Sequence, residues 1–198
     1  HIKLIKSRIF IRREISMKLF RLYGSQDYIS LYYKNRDLGK KYVGKFIGTA
    51  FYDEWEKCEA EVRFKGKWGD KEIDIMDFGG LMGVALNHKA KSKLEDLILP
   101  YSELLPLELE GEELYLLNPV VVLDCLDLKK CQTKKTPPSY NEKITKYVFE
   151  REQNYPPIFR IKNEPRKYIV TEEFTERLEK NALVGYVLNE LWDSENAE

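Results

Sequence analysis

One pattern occurs twice in this chain, and it constrains the fold more than any other feature. The stretches VALNHKAKSKLEDL (84–97) and YIVTEEFTERLEKN (168–181) align without a gap at an offset of 84 residues. Each begins with an apolar run of strand length and continues into a residue suited to cap a helix, Asn87 in the first and Thr171 in the second. Such side chains accept a hydrogen bond from a helix N–H that otherwise has no partner, so a helix starts there. The spacing then puts Ala90, Leu94, Leu97 and Ile98 on one helix face, and Phe174, Leu178 and Ala182 on the other. A second strand-like run follows each helix, SELLPLEL and LVGYVL. The expected fold is α+β, with a mixed or mostly antiparallel sheet, two strand-helix-strand units and few helices.

Other runs of strand length and composition are KLFRLYG, ELYLLN, PVVVLDCL, TKYVFE and PIFRIK. QDYISLYYKNRDLG reads equally as helical or extended. EWEKCEAEVRFKGKWGDKEIDIM reads as a hairpin turning at Gly66 or Gly69. The segment 129–143 has two prolines, many lysines and no periodicity, which marks a surface loop. At 198 residues the chain suffices for one domain, or one domain with a lobe. Because MKLFRLYG begins at Met17, 1–16 is expected to be a tag or upstream extension. Residues 17–79 form an aromatic-rich N-terminal part, 80–192 an α+β domain, and 193–198 a tail.

Formal net charge is zero, yet the charges lie in blocks. Nine acids and no lysine or arginine occupy 95–128, eleven bases and four acids occupy 129–170, and eight acids and two bases occupy 171–198. Such blocks either neutralise one another in the fold or face a charged partner. Cys58, Cys125 and Cys131 are odd in number and form no CxxC pair, which favours a reducing, cytoplasmic setting over a disulfide framework. No apolar run approaches the roughly 18 residues of a membrane helix, so no membrane partner is expected.

Signals for catalysis are sparse. His88 is the only histidine after His1 and falls at the start of a surface helix. The kinase-like DFGG (77–80) has neither a glycine-rich phosphate loop nor a catalytic loop beside it, and reads as a turn. EVRFK (61–65) echoes a magnesium-nuclease pattern, but Arg63 stands where a lysine is needed. In LDCLD, Asp124 and Asp127 suit a hard cation in a metal-dependent hydrolase or nuclease. The competing reading places Asp124 at a strand end, in phase with Val120, Val122 and Leu126 and capping backbone N–H groups, and puts Asp127 in the exit turn. The aromatic and basic residues of 17–76 offer a third reading, a nucleic-acid module, because exposed rings stack on bases.

LYLLNPVVVLDCLD, a following polar loop, YVF, IFRI and then YIVTEEFTERLEKNALVGYVLNELW together resemble the eleventh numbered family of immunity proteins of bacterial polymorphic-toxin systems, formerly a domain of unknown function. The resemblance spans 80–192 and is strongest from Leu114 onward. Its most specific elements are the Leu-Asn-x-Val-x-x-x-Asp-x-Leu-Asp segment and the terminal strand-helix-Leu-x-Gly-strand, here Ile169–Val170, Phe174–Leu178, Leu183 and Gly185. It implies a cytoplasmic, non-enzymatic protein that binds a cognate toxin and blocks it, and it carries no catalytic residues and no cofactor. Acidic surfaces suit basic toxins, so the expected contact residues are Glu103, Glu108, Glu110, Glu112 and Glu113. Tyr32, Tyr33 and Trp55 are the expected aromatic anchors.

Overall fold

The computed structural model describes residues 16–79, 83–135 and 142–196. Among these are three α-helices and thirteen strands, an α+β fold with few helices. Strand β1 (Lys18–Gly24) is followed by β2 (Ile29–Tyr33), α1 (Arg36–Tyr42), β3 (Cys58–Lys65), β4 (Ile75–Phe78) and β5 (Gly83–Leu86). Then come α2 (His88–Ile98), β6 (Ser102–Leu109), β7 (Glu112–Pro119), β8 (Val122–Leu123), β9 (Gln132–Lys135) and β10 (Glu142–Lys146). The chain continues through β11 (Ile158–Ile161), β12 (Glu164–Thr171), α3 (Glu172–Lys180) and β13 (Tyr186–Asp193). Six strands close a barrel in the order β2-β3-β6-β7-β5-β4, and five form a sheet in the order β13-β1-β12-β11-β8.

Both repeat copies build the same device. Strands β5 and β6 are joined by α2 and both pair antiparallel with β7, which lies between them. Strands β12 and β13 are joined by α3 and both pair antiparallel with β1. Each unit is therefore two parallel strands, a crossover helix and one antiparallel strand inserted between them. A helix suits this role because joining parallel strands takes a connection of about a dozen residues. The helices also touch: Arg177 Nη1 donates to Lys93 O at 3.1 Å and pairs with Asp96 at 2.6 Å.

Strand alternation sorts the side chains into three cores. On β7, Leu114 and Leu116 point into the barrel while Tyr115 and Leu117 face α2 and the five-stranded sheet. With both faces buried, this strand reads as one continuous apolar run. The inter-sheet core gathers Leu22, Val84, Leu86, Ala90, Leu94, Ile158, Val170, Phe174 and Leu178. Strand β12 divides in the same way, with Tyr168 and Val170 facing that core and Ile169 facing a third one with Leu19, Phe149, Phe159 and Trp192.

Arg160 is the largest of the fully buried side chains. Its phase on β11 turns it toward the barrel. Nε donates to Pro119 O at 2.7 Å, Nη1 to Pro165 O at 2.7 Å and Nη2 to Asn118 Oδ1 at 3.2 Å. The guanidinium lies 4.5 Å from the ring of Tyr168, whose hydroxyl donates to Leu117 O at 2.6 Å. Burial pulls the guanidinium below its ordinary pKa, with Tyr168 acting in the opposite direction.

Several local expectations change in three dimensions. The hairpin expected over 54–76 does not form: β3 and β4 lie on opposite sides of β2, antiparallel and parallel to it. QDYISLYYKNRDLG is extended and then helical, and Asn35 caps α1 by accepting from Asp37 N at 2.9 Å. Asn87 caps α2, accepting from Ala90 N at 2.8 Å. Thr171 does not cap α3: it remains paired with Leu19, and its hydroxyl is buried without a partner. PVVVLDCL is not one strand: Pro119 ends β7, Val122 and Leu123 form β8 parallel to β11, and Leu126 makes a single bridge to Phe149. The described part of 129–143 includes β9 and the start of β10, which pair; 136–141 lie outside the described residues, as do 1–15 and 197–198.

A division at 79/80 is also corrected, because β4 and β5 form one antiparallel ladder across it. The 17–79 part is therefore no separate lobe. Its strands β2, β3 and β4 belong to the barrel and β1 to the five-stranded sheet.

Ala182 lies beyond α3 rather than on its face. Its N–H donates to Glu179 O at 2.9 Å and that of Leu183 to Leu178 O at 3.1 Å, which ends the helix in a Schellman turn. This turn puts Ala182 at φ 46°, the left-handed region that glycine occupies without strain. Ala182→Gly should raise the unfolding free energy by about 0.5–1 kcal/mol, and the melting temperature by about 1–4 °C. Arg160→Met, which leaves three buried acceptors without donors, should lower it by about 3 kcal/mol or more, and Arg160→Lys should recover part of the loss. Denaturant titration measures all three.

Candidate functional site

Strands β3 and β6 run parallel but pair over only two residues, Cys58 with Leu107 and Glu59 with Glu108. Beyond that point β6 turns back at Glu110-Gly111, whereas β3 continues to Lys65. The separation opens a cavity of about 410 Å³ lined by Lys34, Glu59, Glu61, Val62, Glu108 and Glu110. Glu110 and Gly111 both have positive φ, 52° and 90°, as the two-residue turn of a twisted hairpin demands. Asparagine or glycine is the usual occupant of the first position, so a glutamate there is held against its backbone preference.

Four carboxylates, Glu59, Glu61, Glu108 and Glu110, thus line this cavity, and on β7 Glu113 and Glu112 pair with its lining residues Glu108 and Leu109. Three are matched: Glu59 by Lys34, Glu61 by Arg63 at 2.7 Å and Glu108 by Lys57 at 3.2 Å. These are exposed pairs, worth little individually. Glu110, Glu112 and Glu113 have no ion-pair partner among the described residues, and Glu113 instead accepts from the Tyr115 hydroxyl, holding that hydroxyl above its ordinary pKa. The arrangement is a net-negative rim around a concavity, able to attract and seat basic side chains.

Of the five expected acids, Glu108 and Glu110 line the cavity, and Glu112 and Glu113 sit beside it on the paired strand. Glu103 does neither. Its phase matches Leu105 and Leu107, so it faces the barrel interior, where it accepts from Phe51 N, Tyr52 N at 2.9 Å and Asn118 Nδ2 at 2.9 Å. It closes one barrel end by binding the start of the short helical turn at Tyr52–Glu54. That phase relation was readable in the sequence. Glu59 and Glu61 were missed as members of the site, since only the β3–β6 pairing brings them to the hairpin; their alternation with Cys58, Ala60 and Val62 marked them as outward-facing.

Of the expected aromatic anchors, Tyr33 is a core residue and Trp55 is partly buried against the same core. Tyr33 is 6% exposed, packs on Phe78, and has its hydroxyl raised above its ordinary pKa by burial. Trp55 packs against Tyr42 and donates Nε1 to Pro106 O at 2.9 Å. Tyr32 is half-buried on the outer face of β2, with Arg63 5.0 Å from its ring.

The residues considered for catalysis are dispersed. Asp124 does not cap a strand end; it is exposed and pairs with Lys162 at 2.7 Å. The reason is that Cys125 and Leu126, rather than the alternating set beginning at Val120, turn into the third core. Asp127 opens a turn, accepting from Lys129 N at 3.2 Å. His88 is exposed at the first position of α2. In DFGG, Asp77 and Phe78 are strand and Gly79 is turn, while Gly80 is outside the described residues. Burial pushes the thiols of Cys58 and Cys125 up to about 12, so neither is a thiolate at neutral pH. Among the described residues no group of three or more His, Cys, Asp or Glu is placed to hold a metal ion, and no helix is long and apolar enough to cross a membrane.

No family model matches the chain, and no curated protein matches it. Replacing Glu103 tests its structural assignment. Glu103→Ala removes a charged acceptor from three donors and should cost about 2–3 kcal/mol in urea unfolding, whereas Glu103→Gln, which keeps one acceptor, should cost less.

Proposed function

We propose that this chain is a binding protein that neutralises a basic partner protein by seating it on the acidic end of the barrel, acting by occupancy rather than turnover. The observation that carries the reading is the convergence of Glu59, Glu61, Glu108 and Glu110 on one cavity, with Glu112 and Glu113 paired beside it on β7. The left-handed glutamate at position 110 adds to it, because backbone strain kept in an exposed turn points to a use for the side chain. The immunity-family resemblance of 80–192 supplies the kind of partner: a toxin, encoded beside its inhibitor, blocked in the cytoplasm.

Complementary charge would raise the rate of encounter, and desolvated contacts inside the cavity would slow release. Replacing Glu110, Glu112 and Glu113 with lysine changes the local charge by six units. The triple variant should keep its fold by circular dichroism while its association with the neighbouring gene product slows by about tenfold or more. Added salt should slow the wild-type association in the same direction, since exposed charges are screened over roughly 8–10 Å. In cells producing that neighbour, the wild type should restore growth and the variant should protect less. Equal binding by the variant would place the interface elsewhere. A wild type that neither binds nor protects would remove the immunity reading.

A further inference from the structure

A second cavity, of about 450 Å³, lies where β1 meets the outer face of the barrel, and partner binding at the acidic rim does not use it. Its floor is the outward side of β4, β2 and β3. Ser30 stands between Asp77 on β4 and Phe64 on β3 as a cross-strand neighbour of both, and Tyr32 is the next outward residue along β2. Its wall is Arg21, Tyr23 and Gly24 of β1. The wall comes this close because Gly24 lacks a side chain: a Cβ there would lie 2.3 Å from Asp77 Cα.

Two opposite charges share this cleft, and neither has an ion-pair partner among the described residues. Arg21 lies 5.3 Å from the Tyr23 ring and makes no hydrogen bond or ion pair among the described residues. Asp77 is half-buried; burial raises its carboxyl pKa, and the Ser30 hydroxyl acts against that rise. Phe64, 53% exposed, leaves much of its ring in water at the rim. The volume falls within the ~300–1,000 Å³ typical of small-molecule sites.

We propose that this cleft binds a small zwitterion, a free α-amino acid with an aromatic or large apolar side chain. Its carboxylate would meet Arg21, its ammonium Asp77 and the Ser30 hydroxyl, and its side chain the rings of Tyr32 and Phe64. A nucleotide fits less well, since its phosphates would face the Asp77 carboxyl, with Arg21 the only cation lining the cavity among the described residues. A simple cation or anion would use only one of the two charges and none of the rings.

Titration of the full chain with L-phenylalanine, N-acetyl-L-phenylalanine and L-phenylalaninamide, followed by calorimetry, tests the assignment. L-phenylalanine should bind saturably, and each capped analogue, lacking one charge, should bind about tenfold more weakly or worse. The variants should show a crossed pattern. Arg21→Gln should weaken L-phenylalanine but not the amide, and Asp77→Asn should weaken L-phenylalanine but not the N-acetyl compound. A merely damaged fold would weaken all three alike, and the analogue series on the wild type is decisive even if Asp77→Asn unfolds. Absence of saturable binding by L-phenylalanine, L-tryptophan and L-leucine would overturn the proposal, as would equal affinity for the three phenylalanine compounds. Neither outcome bears on the acidic rim, whose residues none of these variants touches.

Discussion

A buried guanidinium with no carboxylate partner among the described residues joins the barrel to the five-stranded sheet. Arg160 leaves the five-stranded sheet and spends its donors on two carbonyls and the amide oxygen of Asn118, with Tyr168 beneath it. Taking such a group out of water costs several kcal/mol, so the site holds only if its hydrogen bonds are well formed. Asn118 makes the join longer. Its oxygen accepts from Arg160, and its Nδ2 donates to Thr49 O and Glu103 Oε2, so the chain of bonds runs from β11 through β7 and β6 to the closed end of the barrel. The nearest negative charge along this path is Glu103, one amide away. The Leu-Asn-x-Val element in the sequence is therefore a docking element of the fold, with Asn118 at its centre.

The sequence was most legible where the physics is local. Asn87 and the 3.6-residue spacing after it define α2, and the unbroken apolar run of β7 anticipates a strand buried on both faces. Pairing partners are not local, and they account for most of the differences. A strand's alternation says which residues share a face but not which strand lies beside it, so β3 and β4 look like a hairpin although β2 separates them. The same gap hid Glu59 and Glu61 from the candidate site. Composition misled in another way: Tyr33 and Trp55 resemble binding anchors because core rings and interface rings have the same chemistry. Thr171 has the backbone angles of a cap but keeps its strand pairing, and no residue near it in sequence reveals that.

Surface chemistry follows from how the two layers are joined. The barrel needs a tight two-residue reversal between β6 and β7, and that reversal gathers acids at an end where β3 has just diverged. The second cavity arises where β1 crosses the same barrel and brings Arg21 over a floor that already contains Asp77. One concavity therefore comes from strands parting at the barrel wall and the other from a strand laid across it, and the chain has lined both with charged groups.

The order of strands along the chain has a consequence for how the molecule is assembled during synthesis. All six barrel strands fall between Ile29 and Pro119, so the barrel is an uninterrupted stretch that can close as soon as it has emerged. The five-stranded sheet encloses it in sequence: β1 precedes the barrel, and its partners β12 and β13 follow it, with Leu22 facing Tyr168 and Leu188 across the finished ladder. These two edges of β1 are therefore filled only after the barrel strands have been made. Contacts this distant in sequence close slowly. The contact open to β1 in the meantime is the barrel wall, where in the finished fold Gly24 lies directly on Asp77 of β4.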